Sequence, residues 1–102
     1  MLKHCVFLNF KNNFSEDEKK DIMTGLAGLV GVVDGMTDMT FGPNLDFEMK
    51  TPDFDYGFIV TFRDRAAHLA YEAHCTHVEM GAKLVAACTG GAQGIIVFDL
   101  ET

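Results

Sequence analysis

Proton-transfer chemistry is concentrated in one stretch of the chain, Tyr71-Glu72-Ala73-His74-Cys75-Thr76-His77-Val78. It holds two of the four histidines, one of the two tyrosines and one of the three cysteines. A neutral imidazole can take or give a proton beside a carbonyl near neutral pH. A phenol can donate a hydrogen bond to a developing oxyanion. Thr76-His77-Val78-Glu79 has the Thr-x-x-Glu form of a capping box, which predicts a helix restart at Thr76 with His77 as its first residue. Free N–H groups and the positive end of the helix dipole at that position disfavour imidazolium, so His77 is expected to be neutral.

The same stretch is a poor metal site. His74-x-x-His77 offers two ligands, whereas zinc takes three protein groups when catalytic and four when structural. A third would have to come from Glu72, Cys75, Glu79 or His68. The H-E-x-x-H spacing is not met, and His77-Val78-Glu79 has no P-C-x-x-C after it. No P-loop, dinucleotide glycine fingerprint or Gly-x-Ser-x-Gly occurs. The expectation is therefore no metal and no cofactor.

Composition bounds the partners. The 102 residues amount to one domain, 1–102, and 48% hydrophobic content with nine phenylalanines suits a packed globule. A net charge of −7, with Lys19-Lys20 the only adjacent basic pair, argues against nucleic acid and anionic lipid. No apolar run approaches the ~20 residues of a membrane span, and the start lacks the features of a secretory signal. Three cysteines without a C-x-x-C read as reduced thiols in a cytoplasmic protein.

The elements that must position these residues follow from periodicity. Residues 2–10 form a strand apolar on both faces, with His4, Val6, Leu8 and Phe10 on one of them. Ser15-x-x-Glu18 caps a helix predicted to run to about Val33, with Ile22, Leu26, Leu29, Val30 and Val33 inward. Asp34-Gly35 ends it, and Met36–Phe41 is a second strand, apolar mainly on its Thr37/Met39/Phe41 face. Residues 44–55 read as a mobile acidic loop. Tyr56–Phe62 is the strongest strand.

Asp64 caps a short helix over 65–74, in which Ala67, Ala70, Tyr71 and His74 share a face. The restart carries on to about Cys88 with Val78, Ala82 and Val85 inward, and Gly94–Leu100 closes the chain as a strand. The order β-α-β-β-α-β, with a kinked second helix, predicts an α+β ferredoxin-like fold: a four-stranded antiparallel sheet with helices on one face. Strands apolar on both faces then predict a homodimer through the uncovered sheet faces. RNA-recognition modules share this order, but Phe54-Asp55 stands where their third strand carries a basic residue and a glycine.

Taken in order, several motifs resemble the stress-responsive dimeric α/β-barrel (Dabb) family. They are Lys3-His4 opening an apolar strand, the Ser15 helix start, Asp34-Gly35-Met36, Gly42-Pro43-Asn44, Thr61-Phe62, Tyr71-x-x-His74-x-x-His77 and Val97-Phe98-Asp99. The resemblance implies a dimeric α/β barrel with a small apolar-ligand pocket between each sheet and its helices. At least one plant member is a polyketide cyclase using a pocket histidine and tyrosines. By that likeness His4 and His77 match pocket histidines and Tyr71 a pocket tyrosine, with Tyr56 and His74 among the ligand-binding positions. Two departures stand out: Tyr56 replaces a histidine common in the family, and Leu26 replaces a tyrosine of the cyclase. Two functions remain open, cofactor-independent acid–base chemistry on a small aromatic or polyketide-like compound and a non-catalytic stress-responsive dimer.

Overall fold

The computed structural model describes residues 1–102. Its elements are β1 (Leu2–Leu8), α1 (Glu16–Ala27), β2 (Met36–Pro43), β3 (Tyr56–Phe62), α2 (Arg65–Ala73), α3 (Cys75–Ala87), a 3-10 turn (Gly91–Gly94) and β4 (Ile95–Glu101). The strands form one antiparallel sheet in the order β2-β3-β1-β4, the ferredoxin-like arrangement. No helix is long and apolar enough to cross a membrane.

Register decides which side chains meet. His4 pairs with Val60 on β3 and Asp99 on β4, so these three share one face of the sheet. Val6, Leu8, Phe58, Val60 and Phe62 on that face are buried against Met23 and Leu26 of α1, Tyr71 of α2 and Leu84 of α3. The opposite face is bare. Phe7, Ile59, Ile96, Phe98 and Leu100 line it, all exposed, with Phe98 at 57%.

Local signals explain most of the elements. Ser15 and Glu18 form the reciprocal capping box, with Glu18 N donating to Ser15 Oγ at 3.1 Å and Ser15 N to Glu18 Oε1 at 3.3 Å. Asp64 caps α2 by accepting from Ala67 N at 2.9 Å. Gly35 has φ +84° and a Cβ there would lie 2.6 Å from the Ala67 methyl, so only glycine lets α2 close down on the β2 entry.

Four local expectations are corrected. Helix α1 stops at Ala27 rather than Val33, because Gly28 begins a run of turns and Gly31 takes φ +84°. Leu29 and Val33 still reach the core from those turns. A bulge between Met36 and Asp38 shifts the phase of β2, so Met36 joins Met39 and Phe41 on the helix-facing side. The 44–55 loop is tied down: Asp46 Oδ1 accepts from Lys50 N, Thr51 N and Thr51 Oγ1, and Asn44 Nδ2 donates to Thr51 Oγ1 and to the Phe54 carbonyl. Finally, α3 begins at Cys75, one residue before the anticipated cap. Its inward residues are Leu84 and Ala87, whereas Val78, Ala82 and Val85 face out.

Candidate functional site

The kink between α2 and α3 is built by His74. Its Nδ1 accepts from Thr76 N at 3.1 Å, making His74 the N-cap of α3 and Thr76 an ordinary first-turn residue. That corrects two expectations at once: the Thr76–Glu79 box does not cap the helix, and His74 is occupied with the backbone. His77 thereby becomes the third residue of α3, half-buried on the same side as Met80, Leu84 and Ala87.

The His77 ring lies 4.3 Å from the Tyr71 ring, centroid to centroid. Its Nδ1 is 3.2 Å from the Glu72 carbonyl oxygen. A carbonyl only accepts, so Nδ1 carries the proton and Nε2 keeps a free lone pair. Burial lowers the His77 pKa, outweighing the opposing pull of the Glu72 carbonyl. Burial thus favours the neutral imidazole, rather than the first-residue helix position the sequence suggests. Tyr71 is fully buried, and burial pushes its phenol well above the usual value, so it stays protonated and can only donate or accept as a neutral group.

His4 approaches the same tyrosine from the sheet, with ring centroids 6.1 Å apart. Its Nδ1 meets Asp99 Oδ1 at 2.6 Å. An ionised carboxylate accepts, so His4 also carries its proton on Nδ1 and leaves Nε2 free. His4, Tyr71 and His77 are thus brought together, two imidazoles with like tautomers beside one phenol. Tyr56 is not part of the group. It pairs with Leu8, four residues along β1 from His4, which is roughly 13 Å at strand rise, and its ring packs on Phe10.

Two members of the cluster had no place in the acid–base site expected from sequence: Asp99, and His68, which was named only as a possible third metal ligand beside His74 and His77. Asp99 stands in the helix-facing row of β4, where Ile95 and Val97 are its companions, and a carboxylate in that row was the available signal. His68 is more deeply placed: it is 2% exposed, its ring is 4.7 Å from His4 and 5.3 Å from Phe62. The anticipated face of α2 was Ala67/Ala70/Tyr71/His74, but the buried residues are Ala67, His68 and Tyr71, while the more apolar Leu69 faces out. Arg65 Nη1 contacts His68 Nδ1. Burial, then the neighbouring His4, lowers the His68 pKa.

The main concavity lies elsewhere than the pocket implied by the family resemblance. It is a volume of about 530 Å³ on the bare sheet face beneath the 44–55 loop, with Phe7, Ile59, Ile96 and Phe54 among its walls. Between sheet and helices the interior is filled, with Phe62, Tyr71 and His68 among its fully buried side chains. On β4, Val97 and Asp99 face the helix side yet remain exposed.

Residues 2–102 match the stress responsive A/B barrel domain, Dabb. The chain belongs to that family. It is 26% identical over 100 residues to the stress-response A/B barrel domain-containing protein HS1 of Arabidopsis thaliana, covering 98% of this chain and 88% of that one. It is 26% identical over 80 residues to olivetolic acid cyclase of Cannabis sativa, covering 78% and 79%. Among solved structures, a dimeric ferredoxin-like protein of unknown function from Jannaschia sp. CCS1 superposes with a TM-score of 0.93 at 44% identity, over 99% of this chain and 98% of that one.

Proposed function

We propose that this protein is a homodimeric, small-ligand-binding member of its family that carries out cofactor-independent acid–base chemistry on a small aromatic or polyketide-like compound. The observation that carries this reading is the pair of imidazoles, His4 and His77, each with its Nδ1 proton held by an acceptor and its ring near that of Tyr71, at 6.1 and 4.3 Å between centroids. In this assignment His77 Nε2 removes a proton next to a carbonyl, Tyr71 donates to the oxyanion that forms, and His4, held by Asp99, orients the substrate or returns the proton. The likeness to olivetolic acid cyclase supports the substrate class. The homodimer rests on the row of exposed apolar side chains across the bare sheet face, and on the dimeric state of the Jannaschia structure.

The other reading, a non-catalytic stress-responsive dimer, is favoured by the filled interior around Tyr71 and His68. For the acid–base reading a ligand must reach the cluster past the exposed Val97 and Asp99 of β4 or past the half-buried His77. Titration with small phenols and 1,3-diketones, followed by calorimetry and by deuterium exchange alpha to the carbonyl, separates the two. The acid–base reading expects saturable binding, and exchange lost in the His4→Ala/His77→Ala double variant. Identical behaviour of wild type and double variant assigns the chain to the non-catalytic class.

A further inference from the structure

We propose that His4, His68 and Asp99 form a binding site for a divalent first-row transition metal, zinc foremost. One ligand atom from each of these residues lies within 4.8 Å of the other two. Nitrogen and oxygen ligands at about 2.0–2.1 Å from a tetrahedral zinc stand roughly 3.3 Å apart, so side-chain movements of about 1 Å close the set. Two imidazoles with one carboxylate form a donor set that suits zinc or ferrous iron and leaves positions open.

The second observation is independent of that spacing. His68 Nε2 is buried without a hydrogen-bond partner. Glu72 Oε1 stands 3.1 Å from it, too far off the ring nitrogen's direction to bond with it. A buried polar nitrogen left this way is destabilising, and once its proton leaves, a metal ion would give it a partner. Glu72, one helical turn after His68, supplies a second carboxylate within reach of the same nitrogen. The topology makes the arrangement. His4 and Asp99 face each other across β1 and β4, and α2 lays the His68/Glu72 pair over them.

Loading has two local consequences. Coordination through Nε2 moves the His68 proton to Nδ1, so the exposed Arg65 guanidinium must leave that atom. Asp99 at the β4 edge is 40% exposed in its side chain and gives the ion its way in. The site goes beyond the acid–base reading: it shares His4 and Asp99 with it, but neither Tyr71 nor His77.

Titration of the metal-free protein with Zn2+ by calorimetry, and with Co2+ by its visible absorption, tests the site. One ion per chain is expected, with a tetrahedral or five-coordinate Co2+ spectrum and a raised Tm in Zn2+. Affinity falls at least about tenfold in His68→Leu and in Asp99→Asn, and is unchanged in His77→Ala. Asp99 lies at an exposed edge, so the Asn variant keeps the test valid if His68→Leu fails to fold. No binding by the wild type overturns the proposal. So does binding that survives Asp99→Asn and is lost in His77→Ala, which would move the ion to His74/His77. Neither metal outcome depends on whether phenols bind, so the two readings fail separately.

Discussion

The helix-covered face of the sheet buries a cationic or ionisable group at each end, and the two ends are finished differently. At the Tyr56 end, Lys19 of α1 is buried with its Nζ 2.9 Å from Asp55 and 3.0 Å from Glu16, and it lies over the Phe10 ring at 5.3 Å. Its partners are complete. At the Asp99 end, His4 and His77 each keep a free Nε2, and His68 Nε2 has no hydrogen bond. Buried polar groups are normally satisfied. An end that is satisfied holds the fold together, and an end with three open nitrogens is equipped to take something up.

The largest test of that contrast is catalytic. His77→Ala should lower the rate of proton exchange on a bound 1,3-diketone by about 10²–10⁴-fold, with little change in urea midpoint because His77 is only half-buried. An exchange rate equal to wild type would remove the functional half of the comparison.

Next in size is Lys19→Ala. Removing one partner of a fully buried ion pair costs about 3–5 kcal/mol. Asp55 and Glu16 keep substantial contact with water, so the expected loss is about 1–2 kcal/mol in urea unfolding. No measurable loss would mean that this end is as open as the other.

The ends should also answer pH in opposite directions. Burial holds the His68 and His77 pKa values below the usual 6.5. As pH falls below about 6.5 the unfolded chain takes up protons first, so stability present above that value is lost through the lower folded values. At Lys19 burial acts downward, but hydrogen bonds to Asp55 and Glu16 outweigh it and leave the pKa above 10.5. Its contribution is complete below 10.5 and is lost only as pH rises through the higher folded value. Urea midpoints across pH 5–7 check the histidine end, where the double variant His68→Leu/His77→Ala should flatten the acid slope.

The smallest expected effect is the most discriminating for structure. His68→Leu removes an unpartnered buried nitrogen and fills its place with apolar volume, so stability in metal-free buffer should stay within about 1 kcal/mol of wild type or rise. A loss above about 2 kcal/mol would show that His68 is held at least as firmly as Lys19.

How much of this was legible in the sequence depended on whether the cause was local. The Ser15 box, the Asp64 cap and the order of elements along the chain are written in neighbouring residues, and they hold in the structure. The start of α3 was misplaced because His74, rather than Thr76, caps it; a histidine Nδ1 accepting a backbone amide is not among the common cap signals. The β2 phase was lost to a bulge, which leaves no mark in composition. His68 and Asp99 lie 31 residues apart in the chain and meet only through the β1–β4 pairing and the placement of α2. Their partnership with His4 is a product of topology.

The acid–base reading requires His77 to be neutral, and His4 and His77 both to carry a proton on Nδ1 and reach one ligand beside Tyr71. Nitrogen-15 NMR of the histidine side chains at pH 7, recorded through a titration with a small phenol, tests this directly. The prediction is an Nδ1–H tautomer for both residues in the free protein, and a shift of both Nε2 signals with a single saturation curve. A protonated His77 in the free protein, or a ligand that moves neither Nε2 signal, would contradict it.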